Sequence, residues 1–239
     1  MTPKDPKVML SGKERGQRPR RPMGTVRARW PIPLLILLAL ALPATARVGG
    51  RHAAIGARGD LGGKLEYCQD CHGRSGQGYY GYYPIPRLAG QQPEYLKNQL
   101  QAFNERRRTS NIMFNVAHSL SPGMLTALAE RFSEFNPPPL GGAPRGSVGL
   151  GKKIFEDGLP EANIAACAAC HGPDGRGKDQ IPRLAGQLYP YVVKVLVNWS
   201  RERGQNLSRP DISAVMEPIA HSLSRSQVEA VAAFVGTLK

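Results

Sequence analysis

Apolar side chains recur at helical spacing twice in this chain, once in each half. In both stretches they fall three or four residues apart, which places them on one face of an α-helix. The first stretch predicts a helix from Pro93 to about Arg107, and the second predicts its copy. The apolar positions are Leu96, Leu100 and Phe103 in the first helix and Val192, Leu196 and Trp199 in the second.

Another helix is predicted at the end of each half. These helices run from Ser121 to Phe135 and from Ser224 to Leu238, and each starts with a serine, whose hydroxyl favours the N-cap position. One more helix is expected to lead into each cysteine pair, the first at Cys68 and the second at Cys167. No segment alternates polar and apolar residues as strands do, so the pattern predicts an all-α fold.

The two halves repeat one another in sequence. The block Ile85–Gln91 returns as Ile181–Gln187 with an offset of 96 residues, and Ala117–Ser121 returns as Ala220–Ser224 with an offset of 103. The first copy is therefore seven residues shorter between the two blocks. Such a repeat of small units predicts two tandem domains. Their expected bounds are 60–136 and 147–239, with a linker rich in proline and glycine over 137–146.

All four cysteines of the chain lie in two C-x-x-C-H motifs. Cysteines three apart on a helical turn share a face, so both thiols can reach the two vinyl groups of one porphyrin. The next residue, a histidine, then offers its imidazole to the iron as the proximal ligand. The motifs predict two covalently bound haem c groups. They consist of Cys68, Cys71 and His72 in the first copy and Cys167, Cys170 and His171 in the second.

Zinc binding, thioredoxin-like redox chemistry and disulfide formation are the other uses of a C-x-x-C pair. A four-cysteine zinc ribbon has its pairs about 15–20 residues apart, whereas Cys68 and Cys167 are 99 residues apart. A thioredoxin-like motif needs a surrounding βαβ pattern, which is not visible here. A disulfide within either pair would close a very tight loop. The histidine in both copies favours haem over these alternatives.

The first 46 residues predict a secretory signal peptide. A basic stretch precedes the apolar run Leu34–Leu42, and the small residues Ala44-Thr45-Ala46 follow as a cleavage site. The basic stretch is long, and Met23 is a more ordinary start, so residues 1–22 are a candidate misassigned start. An uncleaved anchor is the alternative, although the apolar run is short for a permanent span. Residues 47–59, which contain four glycines, are expected to form a flexible leader.

The high net positive charge of the chain does not indicate a nucleic-acid partner. Half of the net charge of +14 lies in residues 1–46, which hold nine Lys or Arg and two acidic residues. The propionates of two haems would bring the remainder closer to neutrality, so nucleic-acid binding is not expected. A mildly basic face would suit an acidic redox partner or an anionic membrane surface.

A haem used for electron transfer needs both axial positions filled, because an open site binds small molecules. Met113 and Met216 each stand four residues before the repeated Ala-His-Ser-Leu-Ser block, so they are equivalent positions in the two copies. His118 and His221 are equivalent too, and as ligands they would give bis-histidine haems of lower potential. Methionine, a soft ligand that raises the potential, is favoured because it is expected in irregular backbone ahead of the final helix. The histidines, expected at the start of that helix, would then bond a propionate or water.

With these motifs the chain resembles the dihaem cytochrome c4 family of class I cytochromes c. The resemblance covers about residues 60–239 and rests on the C-x-x-C-H-G motifs, the repeated Pro-x-Leu-Ala-Gly blocks and a methionine before each final helix. It implies two tandem class I cytochrome c domains, each enclosing a covalently attached haem with His and Met ligands. It also implies that the carbonyls of Pro86 and Pro182 orient the ligand histidines. The departures from the family pattern are the short first methionine loop and an insertion at Tyr79–Tyr83.

The chain is therefore expected to carry single electrons in the periplasm, between a respiratory donor and an acceptor such as a terminal oxidase. Its partners would be redox proteins, with peripheral membrane association as an option, and neither enzymatic activity nor a small-molecule substrate is expected. The alternatives are the cytochrome subunit of a periplasmic dehydrogenase for sulfide or thiosulfate, and a dihaem peroxidase. A peroxidase or a haem-based gas sensor needs an exchangeable axial site, whereas both copies offer a methionine.

Overall fold

The computed structural model describes residues 49–203 and 212–239, with side chains from residue 60 onwards. These residues belong to one compact unit made of α-helices and short 3₁₀ turns. In these ranges the backbone forms isolated β-bridges but no strands, which confirms the all-α prediction. The signal peptide predicted for residues 1–46, and residues 204–211 in the longer second copy, lie outside the described part of the chain.

The first half contributes four helices. The longest runs unbroken into the first cysteine motif and ends at its histidine. Its first residues, 49–59, fall in the stretch assigned from the sequence to a flexible leader, and their backbone is helical. The four helices are α1 (Gly49–His72), α2 (Pro93–Asn104), α3 (Asn111–His118) and α4 (Pro122–Ser133).

The second half repeats this plan with more interruptions. Helix α5 ends at Asp157, and the chain then passes through a loop before the short helix that carries the second motif. The expectation that a helix leads directly into each motif is therefore wrong for the second copy. The helices of this half are α5 (Val148–Asp157), α6 (Ala168–His171), α7 (Tyr189–Val197), α8 (Trp199–Glu202), α9 (Met216–Ser222) and α10 (Arg225–Val235).

The final helix of each half starts where its serine predicts. Ser121 caps α4 by accepting a hydrogen bond from the backbone N–H of Met124 at 3.3 Å. Ser224 caps α10 in a complete capping box: its hydroxyl accepts from the Gln227 N–H at 3.3 Å, and its own N–H donates to Oε1 of Gln227 at 2.8 Å. The N-cap prediction is confirmed at both positions, because each hydroxyl satisfies a backbone donor that the helix leaves open.

Helix α2 and its copy differ from the prediction, and the final helices end two or three residues before the predicted Phe135 and Leu238. Helix α2 stops at Asn104 rather than Arg107, because Arg106 adopts a left-handed φ of 58° that turns the chain. This turn lets Arg108 form an antiparallel β-bridge with Arg203 of the second half. In the second half, the predicted copy of α2 is divided at Asn198 into α7 and α8.

The larger apolar core lies in the second half, where α10 packs against α5 and α7. Gly151 allows the closest approach of α5 to α10, since a Cβ atom there would lie 1.9 Å from the carbonyl oxygen of Ala230. The core of the first half is smaller and centres on Leu96, Ala129 and Phe132. In the described ranges, no helix has both the length and the apolar character needed to cross a membrane.

The segment that joins the halves is held in place by the first half. The guanidinium of Arg87 donates to the carbonyls of Pro137 at 2.7 Å and Pro138 at 3.3 Å. The hydroxyl of Tyr80, in the insertion of the first copy, donates to the carbonyl of Gly141. The first part of the linker, from Pro137 to Gly141, is therefore fixed to the loop that follows the first motif.

Candidate haem sites

The cysteines lie at helix ends next to each histidine. Cys68 and Cys71 are close to the end of α1, while Cys167 is the N-cap of the short α6 and Cys170 lies within it. In each pair the first thiol is half-buried and the second is exposed. Burial raises the pKa of the Cys68 and Cys167 thiols to about 11, so these groups are neutral thiols at pH 7. Both motifs thus present one inward and one outward sulfur.

The two motif histidines are buried and held in one orientation by a backbone carbonyl. Nδ1 of His72 lies 2.9 Å from the carbonyl oxygen of Pro86, and Nδ1 of His171 lies 2.9 Å from that of Pro182. A carbonyl can only accept, so Nδ1 carries the proton and Nε2 keeps its lone pair. This is the contact that the family resemblance implied for both prolines. Burial also lowers the pKa of both imidazoles, which favours the neutral form that binds a metal.

Glycines let the proline segment approach the histidine closely. The N–H of Gly78 donates to the carbonyl of His72, and the N–H of Gly177 donates to that of His171, both at 2.8 Å. Both glycines have positive φ, and a Cβ atom at Gly177 would lie 2.2 Å from the carbonyl oxygen of Ile181. A side chain at either position would force the proline segment away from the histidine. Sequence reasoning missed these glycines, although they recur in both copies.

The methionines predicted as second ligands lie in helices and not in irregular backbone. Met113 is in the first turn of α3, where its N–H donates to the Ser110 hydroxyl at 3.3 Å, and Met216 is the first residue of α9. The expectation of irregular backbone is wrong at both positions, and at Met113 the reason is that Ser110 caps the start of a helix. Both methionines are partly buried.

The competing histidines lie at the ends of these same helices, not at the start of the final helix as expected. His118 is exposed and stacks on the ring of Phe114, with ring centroids 5.5 Å apart. His221 is also exposed, and its Nε2 is hydrogen-bonded to the Ser200 hydroxyl. Each imidazole thus has a local partner at the protein surface.

A cavity of about 600 Å³ lies beside the first motif. It is bounded by residues of α1 just before Cys68 and by residues of α3 on either side of Met113. Cofactor sites in proteins commonly have this size. The motif cysteines, His72 and Met113 do not line this cavity, and the fit to a haem rests on the chemistry of these residues. Each motif offers one half-buried and one exposed thiol. It also offers an imidazole whose Nε2 is not used by the proline contact, and the helix that carries Met113 lies across the groove from α1. The lining residues are Asp60, Gly63, Lys64, Tyr67, Ile112, Asn115, Val116 and Ser119.

This fold and these sites define a c-type cytochrome with two haem-binding motifs. Residues 148–239 match the family model described as cytochrome c. The chain is 30% identical to cytochrome c4 of Pseudomonas aeruginosa over 202 residues, which cover 84% of this chain and 94% of that protein. It is 31% identical to the thiosulfate dehydrogenase electron acceptor of Stutzerimonas stutzeri, over 86% of this chain and 93% of that protein.

Structural comparison agrees with the sequence comparison. The structure of cytochrome c4 from Acidithiobacillus ferrooxidans matches with a TM-score of 0.62 at 35% identity, covering 72% of this chain and 99% of that one. The chain belongs to the cytochrome c4 family of dihaem class I cytochromes c. It is an electron carrier of this type, with two covalently bound haem c groups at its C-x-x-C-H motifs.

Proposed function

We propose that the protein carries one electron at a time on each of two haems that have a histidine and a methionine as axial ligands. In this proposal Cys68 and Cys71 hold the first haem, and Cys167 and Cys170 hold the second. His72 and His171 are the proximal ligands. The observation that carries the proposal is the matched contact of each motif histidine with a proline carbonyl at 2.9 Å. It leaves Nε2 of a buried, neutral imidazole available in both halves.

Haem supplies a one-electron ferric–ferrous couple when it is bound. The protein's part is to hold the ligands, to exclude water and to set the potential. The carbonyls of Pro86 and Pro182 keep the imidazoles in one tautomer and raise their basicity as ligands. The flanking helices bury the inward edge of each motif. No bond in a substrate is made or broken in this scheme, so the proposal does not include catalysis.

Met113 and Met216 are proposed as the second axial ligands. They occupy equivalent positions in the two copies, and each lies at the start of a helix that precedes the final helix. The exposure of His118 and His221, and the local contacts of their rings, support methionine over a bis-histidine arrangement. A filled second position also argues against a peroxidase or a gas sensor, which need an exchangeable site.

The proposed location is the periplasm, and the proposed partners are a respiratory donor complex and a terminal oxidase. The location rests on the apolar run and small-residue triplet within residues 1–46. Attachment of haem to reduced thiols outside the cytoplasm agrees with export. The mildly basic remainder of the chain suits acidic redox partners or an anionic membrane surface.

A second candidate donor is a thiosulfate dehydrogenase. A relative named as an electron acceptor of that enzyme aligns with 86% of this chain at 31% identity. Under this alternative the protein remains a carrier and the oxidised substrate belongs to the partner. Mixing the ferric protein with a thiosulfate dehydrogenase and thiosulfate tests it directly. Haem reduction should then require both the enzyme and its substrate.

The decisive experiment for the carrier proposal is a visible redox titration of the purified protein with and without carbon monoxide. We expect two one-electron steps that carbon monoxide leaves unchanged, because the proposed histidine and methionine ligands would leave no open position on either iron. Binding of carbon monoxide to either ferrous haem in the native protein would contradict the proposal. The double variant Cys68→Ser/Cys71→Ser is the matched control: it should retain one covalent haem by mass after denaturation, compared with two in the native chain.

A further inference from the structure

Each half of the molecule inserts a glutamine into the other half. Oε1 of Gln187 accepts from the N–H of Arg87 at 2.8 Å, and its Nε2 donates to the carbonyl of Arg87 at 3.0 Å. Gln91 makes the same pair of bonds with Arg183, at 2.7 and 3.0 Å. All four residues are buried. Each glutamine thus pairs with the backbone of the arginine that follows the histidine-binding proline in the opposite half.

The peptide group that receives each glutamine is the one that binds the proximal histidine. The N–H of Arg87 belongs to the same peptide as the carbonyl of Pro86, which His72 contacts at 2.9 Å. That peptide accepts a hydrogen bond from an imidazole of its own half and donates a hydrogen bond to a glutamine of the other half. Both bonds polarise the amide in the same direction, so each strengthens the other. The Pro182–Arg183 peptide stands in the same relation to His171 and Gln91.

The glutamine oxygens are held in place by their own helices as well. Oε1 of Gln91 also accepts from the N–H of Gln92 at 2.9 Å, next to the start of α2. Oε1 of Gln187 also accepts from the N–H of Leu188 at 3.0 Å, next to the start of α7. Two backbone donors therefore fix each oxygen, and its position is tied to the helix that follows it.

We propose that Gln91 and Gln187 are positioning residues that each lower the reduction potential of the haem in the opposite half. This inference rests on the proposed ligation by His72 and His171. A more polarised proline carbonyl makes the imidazole a more basic ligand, which favours ferric iron. Removing the amide of Gln187 therefore raises the potential of the His72 haem, and removing that of Gln91 raises the potential of the His171 haem. The effect crosses from one half to the other.

The variants Gln187→Met and Gln91→Met test the proposal on the holoprotein, since methionine keeps the length of the side chain and lacks the amide. We expect the ferric-to-ferrous ratio of the opposite haem to fall about threefold at a fixed ambient potential. This corresponds to about 30 mV, since a tenfold change in a one-electron couple is 59 mV. The two haems are followed separately by NMR during the redox titration, through their own shifted methyl resonances.

A second readout reports on the hydrogen bond itself. In the ferrous protein, the Nδ1 proton of His72 should move upfield in Gln187→Met and stay in place in Gln91→Met. The matched control is Gln92→Met. Gln92 also reaches the other half, donating from Nε2 to the carbonyls of Arg176 and Gly177 at 3.0 and 3.3 Å, but it does not touch a histidine-binding peptide. The Gln92→Met substitution should change the reduction potential of neither haem.

Potentials that stay at the native values in both methionine variants overturn the proposal. So does a shift confined to the haem of the mutated half, or an equal shift of both haems, because these report general packing. Gln187→Asn and Gln91→Asn, which draw the amide back by one methylene, replace any methionine variant that does not fold and are held to the same outcomes. Failure of His72 or His171 ligation is distinguishable, because it would appear in the spectrum of the native protein.

Discussion

Pro86 places its carbonyl oxygen 2.9 Å from Nδ1 of His72, fourteen residues earlier in the chain. The second half reproduces this relationship at the same distance, between Pro182 and His171, although its loop is three residues shorter. The three additional residues of the first half are accommodated around the Tyr79–Tyr83 insertion, where Tyr79 pairs with Ile85. The loop can therefore change in length while the contact that orients the motif histidine stays the same.

Gly177→Ala should weaken the contact between His171 and Pro182. The new Cβ atom would lie 2.2 Å from the carbonyl oxygen of Ile181 and 2.5 Å from the carbonyl carbon of Pro182, so the segment that contains Pro182 must move. We expect a higher potential for the His171 haem and a lower thermal midpoint. Gly141→Ala is the control, because Gly141 has a similar positive φ of 71° but no atom within 4 Å of its Cβ position. Equal shifts of potential in both variants would mean that backbone strain alone is responsible.

Substituting either Met113 or Met216 by alanine should leave one haem iron with a vacant axial position. Loss of a thioether leaves one ferrous iron five-coordinate, and carbon monoxide then binds to it. Difference spectra should show one equivalent of carbon monoxide in each single variant and two in the double variant. His118→Ala and His221→Ala are the controls, and they should bind none. If the methionine variants remain inert and the histidine variants bind carbon monoxide, the axial ligands are His118 and His221.

The two haems should titrate as separate one-electron steps. The halves differ in core size, in the helix that carries each motif and in the number of residues before the methionine proposed as a ligand. Solvent access and ligand approach both influence the potential. A separation of about 59 mV corresponds to about 1.4 kcal/mol in a one-electron couple, which differences of this kind can supply. A single sharp step in a potentiometric titration would show that the structural differences between the halves do not change the reduction potentials of the haems.

Gly151→Ala should destabilise the second half markedly. Its Cβ would lie 1.9 Å from the Ala230 carbonyl oxygen and 2.9 Å from Cβ of Phe234, so α5 and α10 would have to separate. Overpacking of a well-packed core costs roughly 1–3 kcal/mol. Gly149→Ala, on the same helix with no atom within 4 Å, should be neutral or stabilising by a few tenths of a kcal/mol up to about 1 kcal/mol. Chemical denaturation of both variants measures the difference, and equal stabilities would contradict the close helix crossing.

Features set by local chemistry could be predicted from the sequence. The cysteine and histidine positions follow from the span of one porphyrin, and the serine caps follow from unsatisfied N–H groups at Met124 and Gln227. The contact between proline and histidine needed the family resemblance. Gln91 and Gln187 are recognisable as repeated positions, but the sequence does not indicate which residues they bind. Their hydrogen bonds join residues 92 and 100 positions apart in the chain.

Features set by long-range packing could not be predicted. Helix α5 stops before Gly158, whose φ of 74° begins a loop closed by the pairing of Leu159 with Ile164, and nothing in the apolar spacing indicates that loop. The end of α2 at Asn104 also depends on long-range packing, because it allows Arg108 to pair with Arg203 of the second half.

The exchange of glutamines between the halves is isologous, as in a twofold symmetric dimer: each copy gives the bonds that it receives. A surface of this kind is self-complementary, so two separate domains would associate through it to an extent that depends on their concentration. Joining them through residues 137–146 replaces that dependence on concentration with a fixed effective concentration, on the order of millimolar for a short linker. The two haem sites therefore stay together at any protein concentration, and each molecule that binds a redox partner brings both sites to it.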